Sequence, residues 1–304
     1  MQNFTLRIHL WERHSDANHY CQRSQTRLPM MSNTNIYDPK HNAFCYPTQI
    51  INKAQNTLLT QINEGGTAMK DIVALIENKK QEFARLPLFE FIANKNMHPK
   101  QRLIFAPVLV PLAVELSDLN KYVLRESSSN NKVQELINKH TYTESYYWHW
   151  CLESLEKFGF NQSMSYGDLQ LLWGEETQKT RSLCSALERL AFQAHPVQKL
   201  VLAEVLAGTA TVFFEAVLQV ARELQGIAKK EYVYVGGGYG VLENHRILNM
   251  PEMSQVLSEI KITDRERQQA LELAENVFEL FTEAMNELLE HAQTNSCNTL
   301  LQVA

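Results

Sequence analysis

Residues 140–159 read HTYTESYYWHWCLESLEKFG, a helix-forming run that carries an unusual density of aromatic side chains. On a helix, His140, Glu144, Tyr147 and Cys151 follow one another at intervals of three or four residues and therefore share a face. A polar and aromatic face inside an apolar bundle can form one wall of a small-molecule site. This stretch is therefore the first candidate for a functional site.

The composition of the 304-residue chain favours helices over a many-turned sheet, with only 11 Gly and 9 Pro and long stretches rich in Leu, Ala, Glu, Gln and Lys. The formal net charge of -5, without a basic stripe of interleaved aromatic residues, argues against nucleic-acid binding. The five cysteines are scattered and form no CxxC pair. That pattern is typical of a reducing cytoplasm, because it gives neither a disulfide framework nor a zinc module.

The longest apolar run, Leu103 to Val114, is too short to span a bilayer and is interrupted by Pro107 and Pro111. We predict that it belongs to a long core helix over residues 100–125 that the two prolines bend. The N-terminus lacks an apolar run of the length that a signal peptide needs. We therefore expect a cytoplasmic protein with no membrane partner.

Helical periodicity begins at Pro47 and keeps a steady apolar stripe to about His291. Residues 197–229 are apolar nearly all round in their first half, which is typical of the central helix of a bundle. Thr263 and Glu266 form a capping box that predicts the start of the last long helix. The sequence predicts one all-α domain, a helical bundle over residues 47–291, with a weakly ordered leader over 1–46 and a frayed tail over 292–304.

Carboxylates and histidines that project from facing helices can bind iron inside a bundle. The candidate ligands are Glu144 with His140 or His149, Glu204 on the apolar helix, and Glu243 with His245. Glu204 is notable because an unpaired buried carboxylate is costly. The residues alone leave open a simpler alternative, in which Glu204 lies on a solvated edge of its helix and Glu144 makes a helix-surface hydrogen bond.

The order of these segments resembles the haem-oxygenase-like helical fold and, within it, the iron-containing redox enzymes related to the TenA, PqqC and CADD proteins. Three segments carry the resemblance: the helix of residues 140–159 with Trp148 and Trp150, residues 204–214 (EVLAGTATVFF), and residues 234–245 (YVGGGYGVLENH). The resemblance covers about residues 65–290. It implies a single haem-oxygenase-like bundle.

Metal-binding members of that group place a Glu and a His on the first of these helices, a Glu on the middle one and a His-x3-Asp/Glu-x2-His set on the later one. At the positions of the first helix this chain has Thr143 or His140, followed by Tyr147. At the remaining positions it has Ala207 with Glu204 one turn earlier, then Tyr239, Glu243 and Arg246, with His245 beside Arg246. The resemblance therefore implies that most of the metal ligands have been replaced.

The resemblance implies a small-molecule pocket protein and leaves three alternatives. In the first, the protein is an iron-dependent oxidase or oxygenase of a small metabolite. Its iron ligands would be Glu144, Glu204, Glu243 and His245, its catalytic residues Tyr147 and Tyr239, and its ligand-binding residues Trp148 and Phe213. In the second, a metal-free relative binds a ligand or acts through acid and base groups alone. In the third, the bundle is a non-catalytic interaction protein, for example a homodimer.

Overall fold

A computed structural model describes residues 69–145, 147–160, 163–228, 246–250 and 253–301. Within these ranges the chain forms α-helices joined by shorter 3₁₀ and π-helical turns, and no strand occurs in them. The prediction of an all-α protein is confirmed. The predicted leader over residues 1–46 lies outside the described residues.

The α-helices are numbered here in chain order through the described ranges. They are α1 Lys70–Phe83, α2 Pro87–Ala93, α3 Pro99–Arg102, α4 Val110–Asp118, α5 Lys132–Glu144, α6 Tyr147–Lys157, α7 Tyr166–Leu172, α8 Gln178–Ala191, α9 Pro196–Ala228, α10 Met253–Glu259 and α11 Asp264–Leu301. The 3₁₀ turns are Ala106–Leu109, Glu175–Thr177 and Ile247–Asn249, and the π-helical turn is Leu119–Leu124.

Helix α9 lies at the centre of the bundle and packs against α1, α2, α5 and α11. Every residue from 200 to 205 on it is buried, which explains why its first half is apolar on all sides. By length and composition, Pro196–Ile227 and Pro99–Leu124 would each be apolar enough to cross a membrane. The core helix of a bundle passes the same test, and 56% of the apolar window in α9 is buried in this structure.

The prediction of one bent helix over residues 100–125 is wrong. Helix α3 ends at Arg102, the chain turns, and a 3₁₀ turn, α4 and the π-helical turn follow in series. Pro107 and Pro111 lie in the first turn of the 3₁₀ segment and of α4. A proline in the first turn of a helix removes a donor that would have no partner there, so these prolines begin helical segments and do not bend one.

The stretch of residues 140–159 is also interrupted, because α5 ends at Glu144 and α6 begins at Tyr147. Side chains from an earlier part of the chain bind the carbonyls at this break. Ser117 Oγ donates to the Ser145 carbonyl at 2.6 Å, and Arg125 Nη2 donates to the Thr141 carbonyl at 2.7 Å. After α6 the backbone of Gly159 has a φ of 82°, the left-handed conformation that glycine supplies at helix ends.

The predicted capping box is confirmed at the start of α11. The Thr263 N–H donates to Glu266 Oε2 at 2.7 Å, and the Glu266 N–H donates to Thr263 Oγ1 at 3.2 Å. Helix α11 then continues to Leu301, past His291, where the apolar stripe was expected to end. It packs along α1, α8 and α9 and closes one side of the bundle.

Candidate functional site

A cavity of about 220 Å³ lies between α4, α5, α6, α9 and α11. Most of its wall is apolar, and six phenylalanines supply much of it. They are Phe83, Phe105, Phe158, Phe213, Phe214 and Phe281. On α9 the wall is made of small residues, among them Ala203, Ala207 and Ala210, which leave room beside the central helix. Cavities of this kind are typical small-molecule sites, being mostly apolar with few polar groups.

The polar groups of the wall are concentrated on α4, the π-helical turn, α5 and α6. They are Ser117, Asn120, His140, Glu144, Tyr147, Cys151 and Ser154, with Thr209 on α9. Asn120 Nδ2 donates to the Leu116 carbonyl at 2.8 Å, as Ser117 donates to Ser145. These side chains therefore bind the backbone of the wall, and the ionisable groups lie on α5 and α6.

Glu144 is the acidic group of the cavity. Its side chain is 15% exposed, and Oε1 lies 3.9 Å from His140 Nε2, one helical turn earlier. The Tyr147 hydroxyl donates a hydrogen bond to the carboxyl from the first turn of α6. Burial raises the pKa of Glu144 to about 8, although the hydrogen bond from Tyr147 opposes that rise. At neutral pH the carboxyl therefore keeps its proton in most molecules.

Two further groups in the wall are also shifted by burial. Burial raises the pKa of Tyr147 above its usual value of 10, and the neighbouring Glu144 raises it further, so Tyr147 remains a hydrogen-bond donor. Burial raises the pKa of the Cys151 thiol to about 11. The thiolate is the reactive form of cysteine, so Cys151 behaves as a small apolar residue of the wall.

The shifted pKa of Glu144 makes stability depend on pH. Between the ordinary pKa of 4.5 and about 8, the unfolded chain ionises this carboxyl while the folded protein keeps it protonated. The folded state binds more protons in that window, so the free energy of unfolding is expected to fall as the pH rises. One such proton contributes up to about 1.4 kcal/mol per pH unit.

Urea unfolding of the wild type and of Glu144→Gln at several pH values in this window measures the effect. The variant cannot ionise at this position, so its stability is expected to fall less steeply with pH. Glu135→Gln is the matched control, because Glu135 lies on the exposed side of the same helix. Equal slopes for the wild type and Glu144→Gln would contradict the assignment.

Glu204 lies in a second buried cluster. Its side chain is 1% exposed, and Oε2 accepts from Arg246 Nε at 3.1 Å while Oε1 accepts from the Leu248 N–H at 2.8 Å. Arg246 Nη1 also donates to Glu77 Oε1 on α1 at 2.5 Å. Burial raises the pKa of Glu204, and the guanidinium and the Leu248 N–H oppose that rise. Glu204 is therefore buried and paired, so the expectation of a solvated edge is wrong.

The structure brings some of the predicted site residues together and separates others. Glu144, Tyr147 and Phe213 line the cavity, whereas Glu204 is not among its lining residues. Trp148 is also outside the wall, and its ring stacks on His149 with centroids 3.6 Å apart. Three predicted residues lie outside the described part of the chain, namely Tyr239, Glu243 and His245.

The surroundings of Glu204 show whether this residue could bind iron. Both of its carboxylate oxygens already accept hydrogen bonds from the chain, and the guanidinium beside it is a positive charge that would repel a metal ion. In the described ranges, no group of three or more His, Cys, Asp or Glu side chains converges as a metal site would require. Glu204 thus does not fit an iron ligand in this arrangement.

The sequence-based prediction missed three residues. Ser117 and Asn120 lie in a segment that mixes apolar and polar residues, so the sequence gives only a weak signal that the wall there is partly polar. Glu77 follows Val73 by four residues and shares its buried face, which is a signal that the carboxylate needs a cation. The partner of Glu77, Arg246, is far away in sequence and gives no local signal.

No protein-family profile matches the chain, and no curated protein matches it. Among solved structures, the chain is similar to a domain of unknown function with a haem oxygenase-like fold from Shewanella denitrificans OS217. The two are 13% identical, the match covers 86% of this chain and 96% of that one, and the TM-score is 0.41.

Proposed function

We propose that this protein binds a small, largely apolar molecule in the cavity beside α9, as a metal-free member of the haem-oxygenase-like group. The observation that carries the proposal is the cavity itself. It has a volume of about 220 Å³ and a mostly apolar lining, and its ionisable side chains are grouped on α5 and α6. Apolar side chains that line such a space are left in contact with water or with empty volume unless an apolar molecule covers them. A ligand with an apolar body would provide that cover.

The position of Arg246 is the reason for proposing that the protein works without a metal. The resemblance to iron enzymes places Arg246 at a histidine ligand position, and in the structure its guanidinium binds Glu204 and Glu77. A cation supplied by the chain therefore neutralises Glu204, the carboxylate that an iron centre would use. The proposal consequently assigns the ligand to the cavity and assigns Arg246 and Glu204 to the stability of the bundle.

Glu144 and Tyr147 give the cavity a means of orienting its ligand. Both remain protonated in most molecules at neutral pH, so each is a donor next to an apolar wall. A carboxyl whose pKa lies near the working pH can also exchange a proton with a bound molecule. This property supports the acid–base alternative within the same binding function.

A fluorescence titration with N-phenyl-naphthylamine, whose emission rises in apolar surroundings, tests the proposed function. We expect the fluorescence to rise and then saturate with one probe bound per chain, because the phenylalanine-lined cavity has room for one molecule of this size. Octanol has an apolar chain that should fit the same cavity, so it is expected to displace the probe. A rise that never saturates, or one that octanol does not reverse, would mean surface adsorption and would reject the proposal.

A further inference from the structure

We propose that the ligand carries an amine at one end and that its ammonium group pairs with the carboxylate of Glu144, while its apolar body fills the rest of the cavity. The inference rests on the proposed binding function and adds the chemical class of the ligand. Its basis is the position of Glu144, an acidic side chain at the edge of an apolar cavity.

The described wall of the cavity contains a carboxyl group and no lysine or arginine. Its ionisable side chains are His140, Glu144, Tyr147 and Cys151. His140 Nε2 is 3.9 Å from Glu144 Oε1, which is too long for a hydrogen bond. The Tyr147 hydroxyl donates a hydrogen bond to Glu144 but carries no charge. The cavity thus presents acceptor oxygens without a permanent positive charge beside them.

Glu204 shows how the same bundle treats a buried carboxylate that serves structure alone. There, Arg246 provides a positive charge at 3.1 Å and a backbone N–H completes the set of donors. An isolated carboxylate in an apolar site is costly, so a buried carboxyl either keeps its proton, as Glu144 does, or ionises beside a positive charge. At Glu144 the described part of the cavity wall holds no lysine or arginine and only the His140 imidazole at 3.9 Å, so a ligand that enters the cavity can supply a permanent charge.

An ammonium group suits this position better than the other common polar ends of an apolar molecule. A carboxylate would bring a second acidic group beside Glu144, so one of the two would have to keep its proton and no pair of opposite charges could form. A hydroxyl could share a hydrogen bond with Glu144 but would leave the carboxyl protonated, so no charge-assisted hydrogen bond would form. An amine supplies both the donor and the charge, and its charge favours the ionised form of Glu144, so the carboxyl releases its proton on binding.

Three probes of equal chain length separate these possibilities: octylamine, octanol and octanoate, measured by isothermal titration calorimetry at neutral pH. We expect octylamine to bind about 30-fold more tightly than octanol, a typical effect of a desolvated charge pair, and octanoate to bind most weakly. Octylamine and octanol are expected to displace one another, because both occupy the one cavity.

Glu144→Gln removes the charge and keeps the shape of the side chain. It is expected to abolish the preference for octylamine, so that octylamine and octanol bind the variant with similar affinity. Glu135→Gln, on the exposed side of the same helix, should bind all three probes as the wild type does. If Glu144→Gln prevents folding, the ranking of the three probes on the wild type and their mutual displacement still decide the question.

Equal affinity of the wild type for octylamine and octanol would overturn the amine assignment while the proposed binding function stands. Tighter binding of octanoate would overturn it as well. A preference for octylamine that survives in Glu144→Gln would place the amine elsewhere and reject the role of Glu144. Failure of all three probes to bind would reject the proposed function itself.

Discussion

Replacing Arg246 by alanine is expected to lower the free energy of unfolding by about 3–5 kcal/mol, because it leaves a buried carboxylate without its cation. The side chain of Arg246 is 4% exposed and that of Glu204 is 1% exposed, so the carboxylate left behind has little access to bulk solvent. Glu77 loses a partner at the same time, although at 18% exposure its carboxylate can turn towards solvent. Urea denaturation of the wild type and the variant measures the loss.

Arg267→Ala is the matched control for that measurement. Arg267 Nη1 donates to Asp71 at 2.6 Å, a geometry like that of the buried pair, but the two side chains are 37% and 61% exposed. An exposed ion pair contributes below about 1 kcal/mol, so this variant should stay close to the wild type. Similar losses in both variants would show that burial of the Arg246 cluster is not the source of its effect.

A double variant, Glu204→Gln with Arg246→Ala, separates the two components of the cost, because it removes the carboxylate and keeps the packing loss of the single variant. Removing both charges avoids the uncompensated carboxylate, so stability is expected to recover towards the wild type. The recovery would identify the stranded charge, and not the lost packing, as the main cost of Arg246→Ala. A double variant as unstable as the single one would assign the cost to packing.

Ala207→Phe is expected to abolish probe binding with little loss of stability. Ala207 lies in the cavity wall on α9, and a phenyl ring added there would occupy the space that a ligand needs. Excluding a ligand segment of about three to four CH₂ groups costs about 3 kcal/mol of binding free energy, equivalent to a loss of about 100-fold in affinity. The fluorescence titration described for the wild type measures it.

Stability is the second readout for the same variant. Ordinary overpacking of a full core costs about 1–3 kcal/mol, whereas filling a void costs less. Gln219→Phe adds the same ring to an exposed position of α9 and should bind the probe as the wild type does. Unchanged binding by Ala207→Phe would show that the probe sits elsewhere.

The helical class and the central helix could be predicted because their causes are local. The all-round apolar character of residues 200–205 and the capping box at Thr263 are set by neighbouring residues. Part of the site was predictable for the same reason, since Glu144, Tyr147 and Cys151 recur at helical spacing and do line one cavity. They do so from two helices and not from one.

The interruption between α5 and α6 could not be predicted, because its causes are distant in sequence. Ser117 and Arg125 bind the carbonyls of Ser145 and Thr141 where the helix ends, and a helix-forming sequence gives no sign of these donors. The pairing of Glu204 with Arg246 was missed for a similar reason. From the sequence, Glu204 was either a metal ligand or a residue on a solvated edge, and only the folded chain brings the guanidinium to it.

The identity of the cation beside Glu204 also decides what the protein requires from its surroundings. A guanidinium is part of the polypeptide and stays charged at every physiological pH, so it cannot dissociate, be exchanged for a competing ion or change oxidation state. This part of the bundle therefore needs no loading step after synthesis. Chelators and metal starvation should leave the Arg246 cluster intact, because its counter-charge is encoded in the gene.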